Sequence, residues 1–150
     1  MITGNLERGG LKLEAVPDLV GRCRVYGTLS GEFIGVTHDS RQVRPGTIFA
    51  ALPGTRTDGA VFTDQAIEKG AVAIVGCGLD LLSRRVPYVE VEDPRCALAD
   101  IACALYGFPT RQMKTVGVTG TNGKTTVTFL VRDILRAAGF RPGRVGTLRY

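Results

Sequence analysis

The chain has 150 residues, of which 44% are hydrophobic and 22% are charged, a composition typical of a globular protein with a real core. No apolar stretch reaches the ~18 residues that a membrane-spanning helix needs, and the first residues lack the pattern of a signal peptide, so we expect a cytoplasmic protein without a membrane partner. The net charge of +5 arises in residues 111–150, which contain 8 Lys and Arg and 1 acidic residue. Aromatic residues do not alternate with these cations. This pattern favours a solvated or anion-facing surface over a nucleic-acid partner.

Short β-prone runs alternate with helical periods through the first 110 residues. Residues 1–32 carry little periodicity, apart from the hint of a helix between Leu11 and Val20 that Pro17 interrupts. Two Pro-Gly pairs mark turns between the later runs. The predicted elements are strands at 33–37, 47–52, 71–75 and 88–91, a helix that ends at Gly70, and a helix that begins at Asp93-Pro94 and ends at Gly107.

Alternating strands and helices indicate an α/β fold, and the pattern restarts near Lys114. Pro109 prevents the preceding helix from continuing, so we place a domain boundary between Phe108 and Lys114. Residues 1–110 are then a small N-terminal α/β domain. Residues 111–150 provide a strand at 114–119, a helix at 124–138 and a strand at 144–148, one βαβ unit that cannot bury both faces of a sheet alone. We therefore expect an N-terminal piece of a longer protein.

The cysteines show no spacing that indicates a metal site. Cys23, Cys77, Cys96 and Cys103 form no C-x-x-C pair, and the only histidine, His38, is distant in sequence. We disfavour zinc and expect reduced thiols.

The predicted strand and helix of residues 111–150 are joined by the glycine-rich sequence TGTNGKTT. In this context the N–H groups of a loop and of a helix N-terminus converge on one anion. Gly120 and Gly123 allow close approach of the backbone. Lys124 would meet the β- and γ-phosphates of a nucleotide, the only catalytic role that we assign in this chain. The hydroxyl of Thr125 or Thr126 would bind Mg²⁺, with Thr125 preferred.

Other interpretations of this loop remain open. The general phosphate-loop pattern G-x-x-x-x-G-K-[ST] requires a glycine where this chain has Val118, which argues against a P-loop kinase or NTPase. A Gly-Lys-Thr tripeptide can also simply open a helix, and a non-catalytic nucleotide-binding module is compatible with the sequence.

Four stretches resemble the Mur ligase family, and among its members the MurE type. The loop resembles the family's shortened G-T-x-G-K-[ST]. Residues 35–51 resemble its D-S-R-x-V-x-P-G-x-x-F-x-A signature, and residues 106–114 resemble its Y-G-x-P-S-x-x-L-K hinge, which favours MurE over MurF. Gly146-Thr147 resembles the end of the family's next strand. Residues 52–62 depart from the family at Ala60, where a histidine is usual.

The resemblance implies that residues 1–110 bind the UDP half of the substrate and that residues 111–150 begin the central ATP-binding domain. The residues alone favour a turn at Asp39-Ser40-Arg41 that caps its own backbone and a lone surface histidine at His38, and the resemblance reverses that preference. The implied ATP-binding residues are Gly120, Thr121, Asn122, Gly123, Lys124, Thr125 and Thr126. The implied UDP-sugar residues are His38, Ser40, Thr55, Arg56 and Thr57.

The implied reaction is ATP-dependent amide-bond formation in peptidoglycan synthesis. ATP phosphorylates the D-glutamate carboxylate of UDP-N-acetylmuramoyl-L-alanyl-D-glutamate, and the amine of a third amino acid, meso-diaminopimelate or L-lysine, attacks the acyl phosphate. The family's carbamylated lysine and its other magnesium ligands would lie beyond Tyr150, so we do not expect this chain to catalyse alone. A MurF-type ligase is the nearest alternative.

Overall fold

The structure is a computed structural model that describes residues 10–54, 58–79 and 85–146. The chain divides into two compact units, Met1–Pro109 and Thr110–Tyr150, and each is described by itself. Within the described ranges, every helix is too short or too polar to cross a lipid bilayer. The four cysteines are free thiols.

The unit Met1–Pro109 alternates strands and helices as the sequence predicts. Short 3-10 helices lie at Leu13–Ala15 and Gly59–Phe62. The described strands and α-helices are β1 (Leu11–Lys12), α1 (Val16–Val20), β2 (Cys23–Tyr26), β3 (Glu32–Phe33), β4 (Gly35–Thr37), β5 (Thr47–Ala50), α2 (Thr63–Glu68), β6 (Ala71–Gly76), β7 (Tyr88–Val91) and α3 (Pro94–Leu105).

Most of these strands form one five-stranded sheet with the order β2-β7-β6-β5-β4. Strands β4, β5, β6 and β7 run parallel to one another, and β2 is antiparallel to β7. The pair β1 and β3 forms a separate antiparallel ribbon. Because β4, β5 and β6 are parallel neighbours, the loops that follow them leave from the same edge of the sheet.

Apolar side chains cover both faces of this sheet, as a parallel sheet requires. Successive residues of β5 point to opposite faces, so Ile48 joins one core cluster and Phe49 the other. The first cluster includes Val16 of α1 and Ile101 of α3, and the second includes Ala66 of α2. All five of these residues have 0% exposure, so the helices pack on both sides of the sheet.

The α/β prediction for this unit is confirmed, with three local differences. The predicted strand at 33–37 is divided at Ile34, because β3 pairs with β1 whereas β4 pairs with β5. Pro17 does not interrupt a helix but lies in the first turn of α1, where its missing N–H costs no hydrogen bond. Strand β2 was not predicted.

The unit Thr110–Tyr150 contains a 3-10 turn at Pro109–Arg111 on its border and one long helix, α4 (Lys124–Ala137), among its described residues. The predicted strand at 114–119 is wrong: these residues form no strand, and Val116 is 71% exposed. No described segment pairs with them, and an unpaired strand lacks the hydrogen bonds that define it. Residues 144–146 are not in a strand either, and Thr147 and Leu148 lie outside the described residues.

Candidate nucleotide-binding sites

The segment that follows β4 carries two of the predicted UDP-sugar residues, His38 and Ser40. His38 comes directly after the last residue of β4 and is exposed. The other predicted UDP-sugar residues, Thr55, Arg56 and Thr57, lie outside the described residues, in the segment that follows β5. Both segments leave the sheet at the carboxyl ends of neighbouring parallel strands, the edge where open α/β sheets commonly bind ligands.

Asp39 closes a tight turn in this segment. Its carboxylate accepts hydrogen bonds from the backbone N–H of Arg41 at 3.0 Å and from the Arg41 guanidinium at 2.8 and 2.9 Å, and Gln42 donates at 3.2 Å. The side-chain bonds from Arg41 hold the pKa of Asp39 well below its usual range. The self-capping turn that the sequence allows is therefore present at Asp39.

The side chain and the carbonyl of Ser40 are held by Gln65 of α2 and by Lys69, the residue that follows α2. Its Oγ donates to Oε1 of Gln65 at 2.6 Å, and its carbonyl accepts from Nζ of Lys69 at 3.0 Å. Ser40 is 7% exposed. Sequence reasoning missed Gln65 and Lys69, because polar residues on a helix give no local signal of a contact so distant along the chain.

Both ends of the segment between β5 and α2 are also held. Beyond Leu52 the chain returns at Gly59, whose N–H donates to the Leu52 carbonyl at 2.9 Å. A Cβ at Gly59 would lie 2.6 Å from the Leu52 amide nitrogen, so this closure requires glycine. Arg95 of α3 donates through Nη2 to the Pro53 carbonyl at 2.7 Å. Arg95 is a further positioning residue that the sequence did not reveal.

In the other unit, the predicted ATP loop leads directly into α4. Gly120 has φ 144° and Gly123 has φ 74°, conformations that glycine adopts without steric cost. Gly123 is the N-cap of α4 and has no side chain to cap the helix, so it leaves the first N–H groups open to an outside acceptor. Nζ of Lys124 turns back and donates to the carbonyls of Gly120 and, at 3.2 Å, of Thr121.

These residues fit a bound polyphosphate. A helix N-terminus, loop N–H groups and an ammonium group all favour negative charge at one place. The candidate Mg²⁺ ligands at this loop are the hydroxyl oxygens of Thr125 and Thr126. Among the described residues, no group of three or more His, Cys, Asp or Glu is placed to hold a metal ion.

A family model described as "Mur ligase family, catalytic domain" matches residues 32–106, half of the chain. The chain belongs to the Mur ligase family. This Mur ligase chain is similar to the UDP-N-acetylmuramyl-tripeptide synthetase of Deinococcus radiodurans, with 48% identity over 120 residues that cover 79% of the chain and 24% of the relative. It is also similar to the UDP-N-acetylmuramoyl-L-alanyl-D-glutamate--2,6-diaminopimelate ligase of Phocaeicola vulgatus, with 39% identity over 139 residues, 92% of the chain and 29% of the relative.

Among solved structures, the Mur ligase chain is similar to MurF ligase from Thermotoga maritima in complex with ADP, with a TM-score of 0.52 and 33% identity over 68% of this chain and 23% of that chain. The MurE-type resemblance is confirmed by the names of the curated relatives, and Mur ligases are ATP-dependent enzymes. The chain spans about a quarter of the length of these relatives. The family match ends before the predicted ATP loop, so the roles of individual residues stay predictions.

Proposed function

We propose that this chain belongs to a cytoplasmic ligase that adds the third amino acid, meso-diaminopimelate or L-lysine, to UDP-N-acetylmuramoyl-L-alanyl-D-glutamate in peptidoglycan synthesis. The similarity to tripeptide synthetases supports this reaction. The observation that carries the proposal is the loop that opens α4, because glycine rather than a capping side chain stands at the helix N-terminus, with Lys124 beside it.

In this proposal, Gly120 to Thr126 hold the phosphates of ATP. Lys124 exchanges its contacts with two loop carbonyls for contacts with the β- and γ-phosphates. Its ammonium group then stabilises the negative charge that develops as the phosphoryl group moves to the D-glutamate carboxylate. Thr125 would hold Mg²⁺ through its hydroxyl oxygen, and the ion would supply positive charge to neutralise the phosphates.

The UDP half of the substrate is assigned to the unit Met1–Pro109. His38, Ser40 and the segment of Thr55 to Thr57 follow neighbouring parallel strands, which supports their common site. Hydroxyl groups can hydrogen-bond to a uracil edge or a pyrophosphate, and Arg56 offers a guanidinium fork to phosphate.

An assay of the full-length ligase tests the assignment of Lys124. Lys124→Ala should lower ATP-dependent amide formation by on the order of 10²-fold or more, because it removes a contact that is strongest in the transition state. Arg136→Ala is the matched control, since Arg136 is an exposed cation of the same unit in the last turn of α4, and it should retain near-normal turnover. Near-normal turnover of Lys124→Ala would overturn the proposal.

A further inference from the structure

The hydrogen bond between Ser40 and Gln65 fixes the polarity of the Ser40 hydroxyl. A serine hydroxyl carries one proton and two acceptor lone pairs. Ser40 donates that proton to Oε1 of Gln65 at 2.6 Å, so its oxygen can act toward any further partner only as an acceptor. A carboxamide oxygen cannot donate in return, which makes this direction of the bond the consistent one.

The surroundings of Ser40 hold this arrangement in place. Lys69, one helical turn beyond Gln65, donates to the Ser40 carbonyl at 3.0 Å. Two side chains from residues 65–69 therefore hydrogen-bond to Ser40. Ser40 is 7% exposed, which restricts rotation of its side chain. The preceding Asp39 is tied to Arg41 by three hydrogen bonds. The hydroxyl is therefore oriented before any ligand arrives.

An acceptor at this place distinguishes pyrimidine bases. N3 of uracil carries a hydrogen and donates, whereas N3 of cytosine has a lone pair and accepts. A site that offers a fixed acceptor pairs with the first and repels the second, and a mismatched polar group left unpaired is costly. A hydroxyl free to rotate would serve both bases, because it can donate or accept.

We propose that Gln65 is a positioning residue for base specificity: by taking the Ser40 proton, it presents Ser40 Oγ as an acceptor to N3–H of uracil and so selects uridine over cytidine nucleotides. This inference rests on the proposed UDP site. A purely structural role for Gln65, as an anchor between α2 and the Asp39 turn, would weaken binding of both nucleotides equally. The ratio of the two affinities separates these roles.

The test is a titration of the full chain with UDP and with CDP, followed by amide NMR at His38 and Ser40. The wild type should prefer UDP by at least about tenfold, since mispaired polar groups are discriminated by that amount or more. Gln65→Leu and Gln65→Met, which lack an acceptor, should bring the ratio of affinities toward one. Gln65→Glu keeps an acceptor and should keep the preference. Gln42→Leu, a glutamine that contacts Asp39 instead, is the matched control and should also keep it.

Two results would overturn the inference while the UDP site stands. One is a wild type that binds UDP and CDP equally at His38 and Ser40. The other is a UDP preference that survives in Gln65→Leu and Gln65→Met. Gln65 is exposed on α2, so the two substitutions should fold, and circular dichroism verifies this. Absence of any UDP-induced shift at His38 and Ser40 in the wild type would instead overturn the proposed UDP site, and the inference with it.

Discussion

Helices α3 and α4 are of similar length and both carry isoleucine on their apolar faces, but their surroundings differ. Ile101 of α3 has 0% exposure, packed against the five-stranded sheet, whereas Ile134 of α4 is 67% exposed. None of the residues of α4, all of which the structure describes, is buried. A helical period therefore predicts which face is apolar, but burial of that face requires a packing partner.

The N-termini of α3 and α4 differ in whether a side chain caps the helix. In α3, Asp93 accepts hydrogen bonds from the N–H groups of Arg95 at 2.8 Å and Cys96 at 3.2 Å. These bonds, with the one from the Cys96 amide foremost, lower the pKa of Asp93. In α4 the corresponding position is Gly123, which has no side chain to cap. The first N–H groups of α3 are therefore capped by a side chain of the same chain, whereas those of α4 are placed to bind a phosphate.

The largest expected effect on stability is the difference between alanine substitutions of Ile101 and of Ile134. Ile101→Ala should lower the free energy of unfolding by roughly 2–5 kcal/mol, because it removes buried contacts and leaves a cavity. Ile134→Ala in the same chain should change it by less than about 0.5 kcal/mol, as exposed substitutions usually do. Denaturant titration followed by circular dichroism measures both. Equal losses for the two variants would mean that the contrast between the helices is wrong.

Two glycines extend the comparison to the loops. Gly59→Ala should destabilise the protein by about 1–3 kcal/mol, because its Cβ would lie 2.6 Å from the Leu52 amide nitrogen and the segment must shift. Gly117→Ala is the control in the other unit, where a Cβ meets no atom within 4 Å. Thermal unfolding of both variants checks this. A Gly59→Ala protein as stable as Gly117→Ala would show that the ends of the β5–α2 segment are not tightly closed.

The caps provide a smaller test. Asp93→Ala should cost about 1 kcal/mol of stability, the usual value for loss of an N-cap, and Asp93→Asn should recover most of it. Asp133→Ala in α4 removes only an exposed pair with the neighbouring Arg132 and should be nearly neutral. The comparison fails if urea unfolding ranks Asp133→Ala as the more damaging change.

The smallest effect concerns pH. The folded pKa of Asp39 is lowered by its bonds to Arg41, so its stabilisation is present above its unfolded pKa of about 3.9 and is lost as pH falls through the lower folded value. Asp39→Asn should therefore lose less stability than the wild type when the pH is lowered from 6 to 3. Exposure of Arg41 keeps this difference small. Identical pH profiles for the two proteins would contradict the role of the ion pair.

The sequence predicted those elements whose signals are local. Strand β7 and the start of α3 were predicted correctly, because an apolar run and an Asp-Pro pair encode them directly. The division of the run 33–37 at Ile34 could not be predicted, since it depends on which strand each half meets. The strand at 114–119 failed for a related reason: β-prone residues become a strand only when they pair.

The candidate sites follow the same rule. The glycine loop before α4 was predictable because strand-like, loop and helical patterns lie side by side in sequence. Gln65 and Arg95 were not, because each acts on a segment distant along the chain. Contacts of this kind depend on the sheet order, which brings the segments after β4 and β5 to one edge.

The central claim is that the two units differ in what they bind, with UDP-sugar recognition in Met1–Pro109. Titration of the full chain with UDP-N-acetylmuramic acid, followed by amide NMR, tests it most directly. We expect shifts at residues 38–40 and 55–57, in the segments that follow β4 and β5, while α4 stays unchanged. Shifts confined to α4, with none after β4 or β5, would contradict the claim.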